Sequence, residues 1–519
     1  MSQTSQKRII IVGGGSAGWI TAGLLASRFA ADSNFAFTLV ESPNVATIGV
    51  GEGTWPSMRE TLRKIGLSET DFMLHCSASF KQGSTFKGWN TGEDGDQYHH
   101  PFSVPSGYSQ TDVHKLWQHK SAGNTYANCV SPQSIICDEG LAPKQYQTPE
   151  YAGVLNYGYH FDADKFVEML TEHCVQTLNV EHIVGHVEHI QQYPNNAIEA
   201  IQLDGGQTIH GDLFIDCTGS RGLLIEKTCG AKWLSQRGVL FNDSALALRV
   251  PHDSATAPIA STTVATAHQS GWIWDIGLSS RRGIGCVFSS QHCDEQQAKS
   301  ALADYIASTA HIGAIDVNEA RLLSFDPGYR DESWRYNCVA VGMSSGFIEP
   351  LEASALAMVE LSVTLLADNL NAAMHAMPVV RDRFNARTRY RWERVIEFVK
   401  LHYVLSKRDD SAYWREHRNV HSIPQRLQDS LQLWQYQPPS RHDLEQNEEV
   451  FPSASYQYIL YGMGFLTESA AYRDEHNMQR LWNKMSQDNR QYVSKLKQGL
   501  PSNRQWLDRV LSGPLADIG

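Results

Sequence analysis

"RIIIVGGGSAGWITAGLLASRF", residues 8–29, decides the fold. Arg8–Val12 is a short apolar, β-branched run of the length and composition of a buried strand. A Gly-rich turn follows, and a helix is predicted from about Ser16, its small residues allowing close approach to a sheet. "FAFTLVES" (35–42) then reads as a second strand ending at Glu41. Gly13-Gly14-Gly15-Ser16-Ala17-Gly18 thus fits GxGxxG between a strand and a helix. Gly13 permits the tight turn, Gly15 lets backbone N–H groups approach a pyrophosphate, and Gly18 allows close helix packing. The helix start at Ser16 and Ala17 offers partial positive charge to phosphate, and Glu41 can accept hydrogen bonds from a ribose. A bare GxGxxG could be an ordinary glycine turn; strand, helix and terminal acid together favour dinucleotide binding.

The rest of the chain narrows the class. Its 519 residues are ample for one large α/β unit or two to three modules. With 44 Lys+Arg against 56 Asp+Glu, the net charge of −12 argues against nucleic acid or an anionic membrane as partner and towards a small-molecule substrate. Nine scattered cysteines without a CxxC pair suggest neither a disulfide framework nor a thiolate zinc site, and fit a reducing cytoplasm. The first apolar run is cut by glycines and no other is long enough to span a bilayer, so a soluble protein is expected.

Residues 178–218 should be rich in strands, with a hairpin signal at Asp204-Gly205-Gly206. His182, His186 and His189 could share a helix face, but their β-branched and glycine neighbours favour strand, and no metal is assigned. After about residue 352 apolar residues recur at three- and four-residue spacings, predicting a helical C-terminal third. The stretch 437–455 reads as a surface loop. "GDLFIDCTGSRGLL" (211–224) and "NCVAVGMSSGFIEPLEASALAM" (337–358) look like late strand and Gly-turn elements, similar to those that glutathione-reductase-like FAD proteins bring back to their first Gly loop. No second complete strand, Gly-rich loop and helix unit for a nicotinamide cofactor is apparent. FAD is therefore favoured, with reducing equivalents from outside. Val187, Met343 and Leu356 join the Gly-loop residues as candidate cofactor-lining positions.

"VGGGSAGW", "GVGEGTWPS" (49–57), "SFKQGSTFKGW" (79–89), "YHHPF" (98–102), "YHFDADKF" (159–166), "FIDCTGSRGLL" (214–224), "GWIWDIGL" (271–278), "GFIEPLEASAL" (346–356) and "LHYVLSKRDDSAYW" (401–414) occur in the order seen in flavin-dependent halogenases of the tryptophan halogenase family, which the chain resembles over roughly four-fifths of its length. The resemblance implies an enzyme that takes reduced FAD from a separate NAD(P)H-dependent flavin reductase and forms a C4a-hydroperoxide with O2. Halide, bromide or chloride, then yields hypohalous acid, which passes through a tunnel to an electron-rich aromatic substrate. It also implies residue roles. Lys81 matches the lysine that holds hypohalous acid or forms a haloamine; a cation there makes the oxidant more electrophilic, whereas most lysines merely face solvent. Glu352 matches the carboxylate facing that lysine, which stabilises the arenium ion or takes its proton; it would equally suit a helix dipole. Ser354 and Ala355 lie where the family offers two backbone amides to halide, although Ala353-Ser354-Ala355 replaces the Ser-Thr-Gly of tryptophan enzymes.

His100 and Phe102 match positions lining the substrate pocket, Phe102 as an aromatic wall. Tyr456, Tyr458 and Tyr461 fall where tryptophan-specific members hold the amino acid part, but the characteristic residues are not matched. Indole, another indole derivative or a phenol fits as well as tryptophan. Trp272 and Trp274, on one face of a strand, would be core residues or, by resemblance, the bulky rings that keep organic substrate from the flavin. Gly277 stands where the family has proline, which predicts a looser backbone after the pair.

The expected fold is α/β, a glutathione-reductase-like FAD core with β-sheet insertions and a mostly helical C-terminal part over the substrate. The expected division is a module at 1–360, with 105–156 able to pack with the substrate part, and a helical module at 361–519. An FAD-dependent aromatic monooxygenase is the competing activity, a non-catalytic flavoprotein or scaffold a third reading, and a homodimer remains open.

Overall fold

A computed structural model describes residues 6–44, 51–108, 113–120, 123–310, 315–468 and 475–512. The first strand forms at Lys7–Val12 and the helix at Ser16–Arg28, with the second strand at Phe35–Glu41. Ile9, Ile10 and Ile11 are each at most 1% exposed, so both faces of this strand are covered, as the unbroken apolar run requires in a parallel sheet. Each such side chain contributes roughly 1.5–3 kcal/mol on burial.

Two compact units emerge, each from three chain segments. The first comprises residues 1–78, 161–237 and 325–393. Its sheet runs, edge to edge, Trp334–Arg335, Cys338–Ala340, Leu213–Asp216, Lys7–Val12, Phe35–Glu41 and Glu181–Val184. The central pairings are parallel: Ile9–Val12 against Leu213–Asp216 on one side and Lys7–Val12 against Phe35–Val40 on the other. This order brings the C-terminal ends of Lys7–Val12, Phe35–Glu41 and Leu213–Asp216 together, the edge at which open α/β sheets bind ligands. The predicted hairpin forms between Ile198–Leu203 and Thr208–His210, and its strand partner is Val187–Gln192. His182 and His189 lie in strands and His186 between them, as the local sequence predicts.

The second unit comprises residues 79–160, 238–324 and 394–519. Seven strands order as Arg321–Ser324, Ser244–Pro251, Arg281–Phe288, Gly271–Gly277, Thr263–His268, Gly83–Lys87 and Gln97–Pro101. The helix Glu295–Thr309 buries Ala298, Leu302 and Ile306 against Leu246, Ile273, Ile284 and Cys286 of this sheet. Residues 105–156 lie in this unit with 394–512, and the helices Tyr126–Val130 and Glu475–Gly499 pack together.

These units differ from the linear pair 1–360 and 361–519. The boundary between residues 393 and 394 falls inside the helix Ser354–Leu405, and the insertions 79–160 and 238–324 cluster with the C-terminal segment. A long helix carries no composition break at such a boundary, so the sequence does not mark it. That helix kinks at Ala376, two residues before Pro378, whose ring and missing N–H oppose the preceding turn.

Gly277 is held more firmly than the loss of proline suggests. The strand Gly271–Gly277 keeps its ladder through Gly277 opposite Arg282, and the Gly277 carbonyl accepts a hydrogen bond from Ser79 Oγ. A Cβ at Gly277 would sit 3.0 Å from Ile259, so the position is crowded rather than loose.

Gly13 has φ +118°, outside the range of any L side chain, and a Cβ there would lie 2.2 Å from the Cys217 carbonyl oxygen. Gly13→Ala is expected to lower stability by about 3 kcal/mol or more, because neither backbone can give way. The denaturant midpoint should fall at unchanged slope; an unshifted midpoint would contradict the turn geometry.

Candidate functional site

In the first unit, the sheet's C-terminal edge opens into a cavity of about 470 Å³, within the roughly 300–1,000 Å³ usual for cofactor and ligand sites. Gly13, Gly15, Ser16, Ala17, Glu41, Val187, Met343, Ala355 and Leu356 all line it, so elements distant in sequence meet there as expected. Gly18 acts differently: a Cβ there would lie 1.8 Å from the Gly13 carbonyl oxygen, so glycine lets the helix lie against the turn. At Gly15 a Cβ would meet nothing within 4 Å. Open space there, beside the start of a helix, suits a phosphate group.

Glu41 closes its strand with its carboxylate fixed on both sides. Trp19 Nε1 donates to Oε2 at 3.3 Å, and His182 Nε2 lies 3.6 Å from Oε1. This carboxylate explains the middle glycine, which the sequence reading left without a role: a Cβ at Gly14 would come 1.7 Å from Glu41 Oε2.

Asp216 is the residue that sequence reasoning missed most clearly. Fully buried at the end of Leu213–Asp216, it accepts from Thr218 N and Oγ1 and from Ser344 Oγ through Oδ1, and from Leu224 N and Ile225 N through Oδ2. It thereby ties the turn after its own strand to the 342–347 loop that supplies Met343 to the cavity. Arg330 reinforces the loop, donating from Nε to the Ser344 carbonyl at 3.1 Å. "FIDCTG" contained the signal, an acid ending an apolar strand before a Gly turn. Asp216→Asn replaces one acceptor oxygen by an amide donor facing backbone N–H groups. Charge-assisted hydrogen bonds of this kind contribute about 1.5–3 kcal/mol, so the variant should unfold at a lower Tm. An unchanged Tm would refute this role.

Glu352, with φ +65°, and Ala353, with φ +53°, are consecutive left-handed non-glycine residues just before the helix starting at Ser354. Left-handed backbone costs roughly 1–2 kcal/mol per residue, so the turn stores strain in a buried position. Trp55 Nε1 donates to the Glu352 carbonyl at 2.7 Å and pins it. Ser354 and Ala355 open the helix, where the first amides lack intrahelical acceptors and can receive an anion.

In the second unit, Lys81 ends the strand Ser79–Lys81, paired antiparallel with Gly158–Phe161, and is 1% exposed. Phe102 N donates to the Gln82 carbonyl at 3.0 Å, which draws the phenyl ring in, and Lys81 Nζ lies 5.7 Å from its centroid. That distance is within cation–π range. His160, quoted in a motif but given no role, is held well below the usual histidine pKa by burial and then by the charge of Lys81. Its Nε2 contacts Thr263 Oγ1 at 2.8 Å. Burial and the neighbouring Lys81 thus keep this imidazole neutral.

His100 Nε2 contacts Ser455 Oγ at 2.9 Å, with Tyr458 and Phe398 beside its ring. Tyr456, Tyr458 and Tyr461 are buried; Tyr458 donates to the Ser103 carbonyl, and Tyr461 contacts Thr467 Oγ1. Trp272 and Trp274 project from one face of Gly271–Gly277, their centroids 6.3 Å apart, and Trp89 lies 6.3 Å from Trp272. Trp274 covers Gly285 so closely that a Cβ there would lie 2.0 Å from its ring. Among the described residues no group of acidic, histidine or cysteine side chains could hold a metal ion. No described helix is long and apolar enough to cross a membrane.

A family model for tryptophan halogenase matches residues 8–477. The chain is similar to the crystal structure of a tryptophan halogenase from Shewanella frigidimarina NCIMB 400, with 46% identity, a TM-score of 0.93 and 99% of each chain covered. A flavin-dependent halogenase from Xanthomonas campestris is 28% identical with a TM-score of 0.87, over 99% of this chain and 100% of its own. The 7-chloro-L-tryptophan 6-halogenase of Kutzneria sp. (strain 744) is 31% identical over 97% of this chain and 99% of its own. Fold and relatives together define an enzyme of the flavin-dependent halogenase class. The chain belongs to the tryptophan halogenase family.

Proposed function

We propose that this protein is an FADH2-dependent halogenase that uses O2 and bromide or chloride to halogenate an electron-rich aromatic substrate, an indole, tryptophan or a relative, with hypohalous acid as the agent. The single observation that carries this reading is Lys81, an ammonium buried beside the Phe102 ring with its imidazole neighbour held neutral. An N–H donor held beside an aromatic wall suits the polarisation of hypohalous acid, which direct oxygen insertion into an aromatic ring does not call for.

The first unit's cavity fits FAD: open space over Gly15, a fixed carboxylate at Glu41 and a largely apolar far side with Met343, Phe347, Leu356 and Trp392. Bound in reduced form, FAD supplies the electrons and the activation of O2. Gly13–Ala17 hold the pyrophosphate, Glu41 the ribose, and the Ser354 and Ala355 amides the halide. Lys81 orients the oxidant, Phe102 and His100 flank the substrate ring, and Glu352 stabilises the arenium ion or accepts its proton. Trp272 and Trp274 exclude organic substrate from the flavin. The cavity is built around one Gly-rich loop, which supports a separate NAD(P)H-dependent reductase as the source of FADH2. The experiment is incubation with reduced FAD, O2, bromide and chloride in competition, and a panel of aromatics, read by mass spectrometry. Halogenated product is expected; hydroxylated product alone would favour a monooxygenase.

A further inference from the structure

Gln82 follows Lys81 in "SFKQG" and has no role in the sequence reading, yet it is fully buried within the second unit. It links the strand Ser79–Lys81 to the strand Gly83–Lys87 of the seven-stranded sheet. All four of its polar groups are engaged. Its N–H donates to the Ser261 carbonyl at 2.7 Å, and its carbonyl accepts from Phe102 N at 3.0 Å. Its side-chain Nε2 donates to the Leu141 carbonyl at 2.7 Å, and Oε1 accepts from Gln133 Nε2 at 3.3 Å.

Gln133 is fully buried as well, the second residue of the helix Pro132–Asp138, where its N–H donates to Ser131 Oγ at 3.1 Å. Its Nε2 also donates to the Asn156 carbonyl at 2.5 Å, and Asn156 Nδ2 donates to the Phe102 carbonyl at 3.0 Å. The bonds close a ring, from Phe102 N–H through Gln82, Gln133 and Asn156 back to the Phe102 carbonyl. The orientation of the glutamine amides is forced. The Leu141 carbonyl can only accept, so Gln82 turns Nε2 towards it and Oε1 towards Gln133, whose Nε2 then faces two acceptors.

This ring sits where strand pairing stops. The ladder between Gly83–Lys87 and Gln97–Pro101 ends on the Gly83–Pro101 pair. A Cβ at Gly83 would lie 2.4 Å from the His100 carbonyl oxygen, so the two chains touch there. Phe102 lies beyond the last pair and in no strand; the ring of side-chain amides holds both of its main-chain polar groups instead.

We propose that Gln82, Gln133 and Asn156 are positioning residues that set which carbon of the aromatic substrate receives the halogen, by fixing the Phe102 wall relative to Lys81. The inference rests on the reading of Lys81 and Phe102 above. Lys81 precedes Gln82 in the chain, and Gln82 grips the Phe102 main chain, so one residue ties the ammonium that orients the oxidant to the ring that flanks the substrate. Nζ and that ring centroid are 5.7 Å apart. Neighbouring carbons of an aromatic ring differ in position by little more than a bond length. A wall free to drift by about 1 Å would therefore present more than one of them, and a displacement of that size costs up to roughly 10²-fold in rate. Buried, fully connected amide networks supply the rigidity that such placement needs.

The test compares the wild type with Gln133→Met, which keeps a similar length, removes both side-chain donor bonds and leaves Lys81 and Phe102 unchanged. Each protein receives reduced FAD, O2, bromide and an indole with several open ring positions. Product isomers are resolved by chromatography and mass spectrometry, the ratio given by hypobromous acid alone with the same indole is measured alongside, and Tm is recorded. The expected result is an isomer ratio moved at least about fivefold towards that of the free acid, with roughly tenfold less product per flavin oxidised. An unchanged ratio overturns the proposal whatever the rate; if Tm falls as well, the network is structural only. A wild type that yields no halogenated product overturns the reading of Lys81, and the proposal with it. Should Gln133→Met not fold, Asn156→Leu, which releases only the Phe102 carbonyl, is judged by the same ratio.

Discussion

Lys81→Ala is expected to lower halogenated product by at least about 10²–10³-fold while oxidation of reduced flavin continues. The separation follows from location. The Gly-loop cavity, the proposed flavin site, is built in the first unit, whereas Lys81 sits on the strand Ser79–Lys81 of the second. Alanine would also leave a void beside Phe102, so Lys81→Met, similar in length but uncharged, isolates the charge. Both variants should lack product. His160 reports the same change independently: removing the cation beside it raises its pKa, although burial, the larger cause, keeps it below the usual range. Histidine titration by NMR would detect that shift. Halogenation by Lys81→Met within tenfold of wild type would refute the role of Lys81, and unchanged hydroxylated product would transfer the reading to a monooxygenase.

Glu352→Gln is expected to cost about 10²–10⁴-fold in turnover with little change in substrate affinity, as for loss of a group that acts on a proton or developing charge in the transition state. Glutamine keeps the shape and hydrogen-bonding capacity but cannot hold the negative charge. A second substitution separates catalysis from folding. Glu352 sits at φ +65°, a conformation that glycine adopts without penalty. Glu352→Gly should therefore be as inactive as Glu352→Gln while its stability rises by roughly 1 kcal/mol, the cost of left-handed backbone being removed. A Tm shift upward with activity lost would mark a residue kept for chemistry against the interest of the fold. A fall in Tm with activity retained would assign Glu352 to structure alone.

Much of the first unit was legible in residues 8–41, because GxGxxG, the strand before it and the acid after it are each demanded by local sterics. Gly13 needs its φ, Gly18 its closeness to the turn, and Glu41 its place at a strand end. Of the late positions named as cofactor-lining, Val187, Met343 and Leu356 all lie on the cavity, as does Ala355, which the sequence offered as a halide position. Glu52 and Asp216 escaped assignment although both lie in quoted motifs. Nothing in "GVGEG" or "FIDCTG" says which way a carboxylate points. Asp216 turns inward to five donors, and Glu52 faces the cavity. His160 escaped for the same reason, because its importance comes from a neighbour far along the chain. Gly277 shows the opposite failure: proline's absence predicted looseness, but the strand ladder and Ser79 hold that carbonyl.

By itself, the sequence determined what depends on neighbours a few residues away: the strand, turn and helix of 8–29, the hairpin at 204–206, and the helical period after 352. Ordered motifs along the chain added the family. Tertiary structure alone decided the interleaving of three segments in each unit, the burial that keeps His160 neutral, and the strained turn at Glu352. The reason is physical. Backbone preference is a local property, whereas desolvation and strain arise only when segments distant in sequence close around a group and determine whether its charge or conformation can relax.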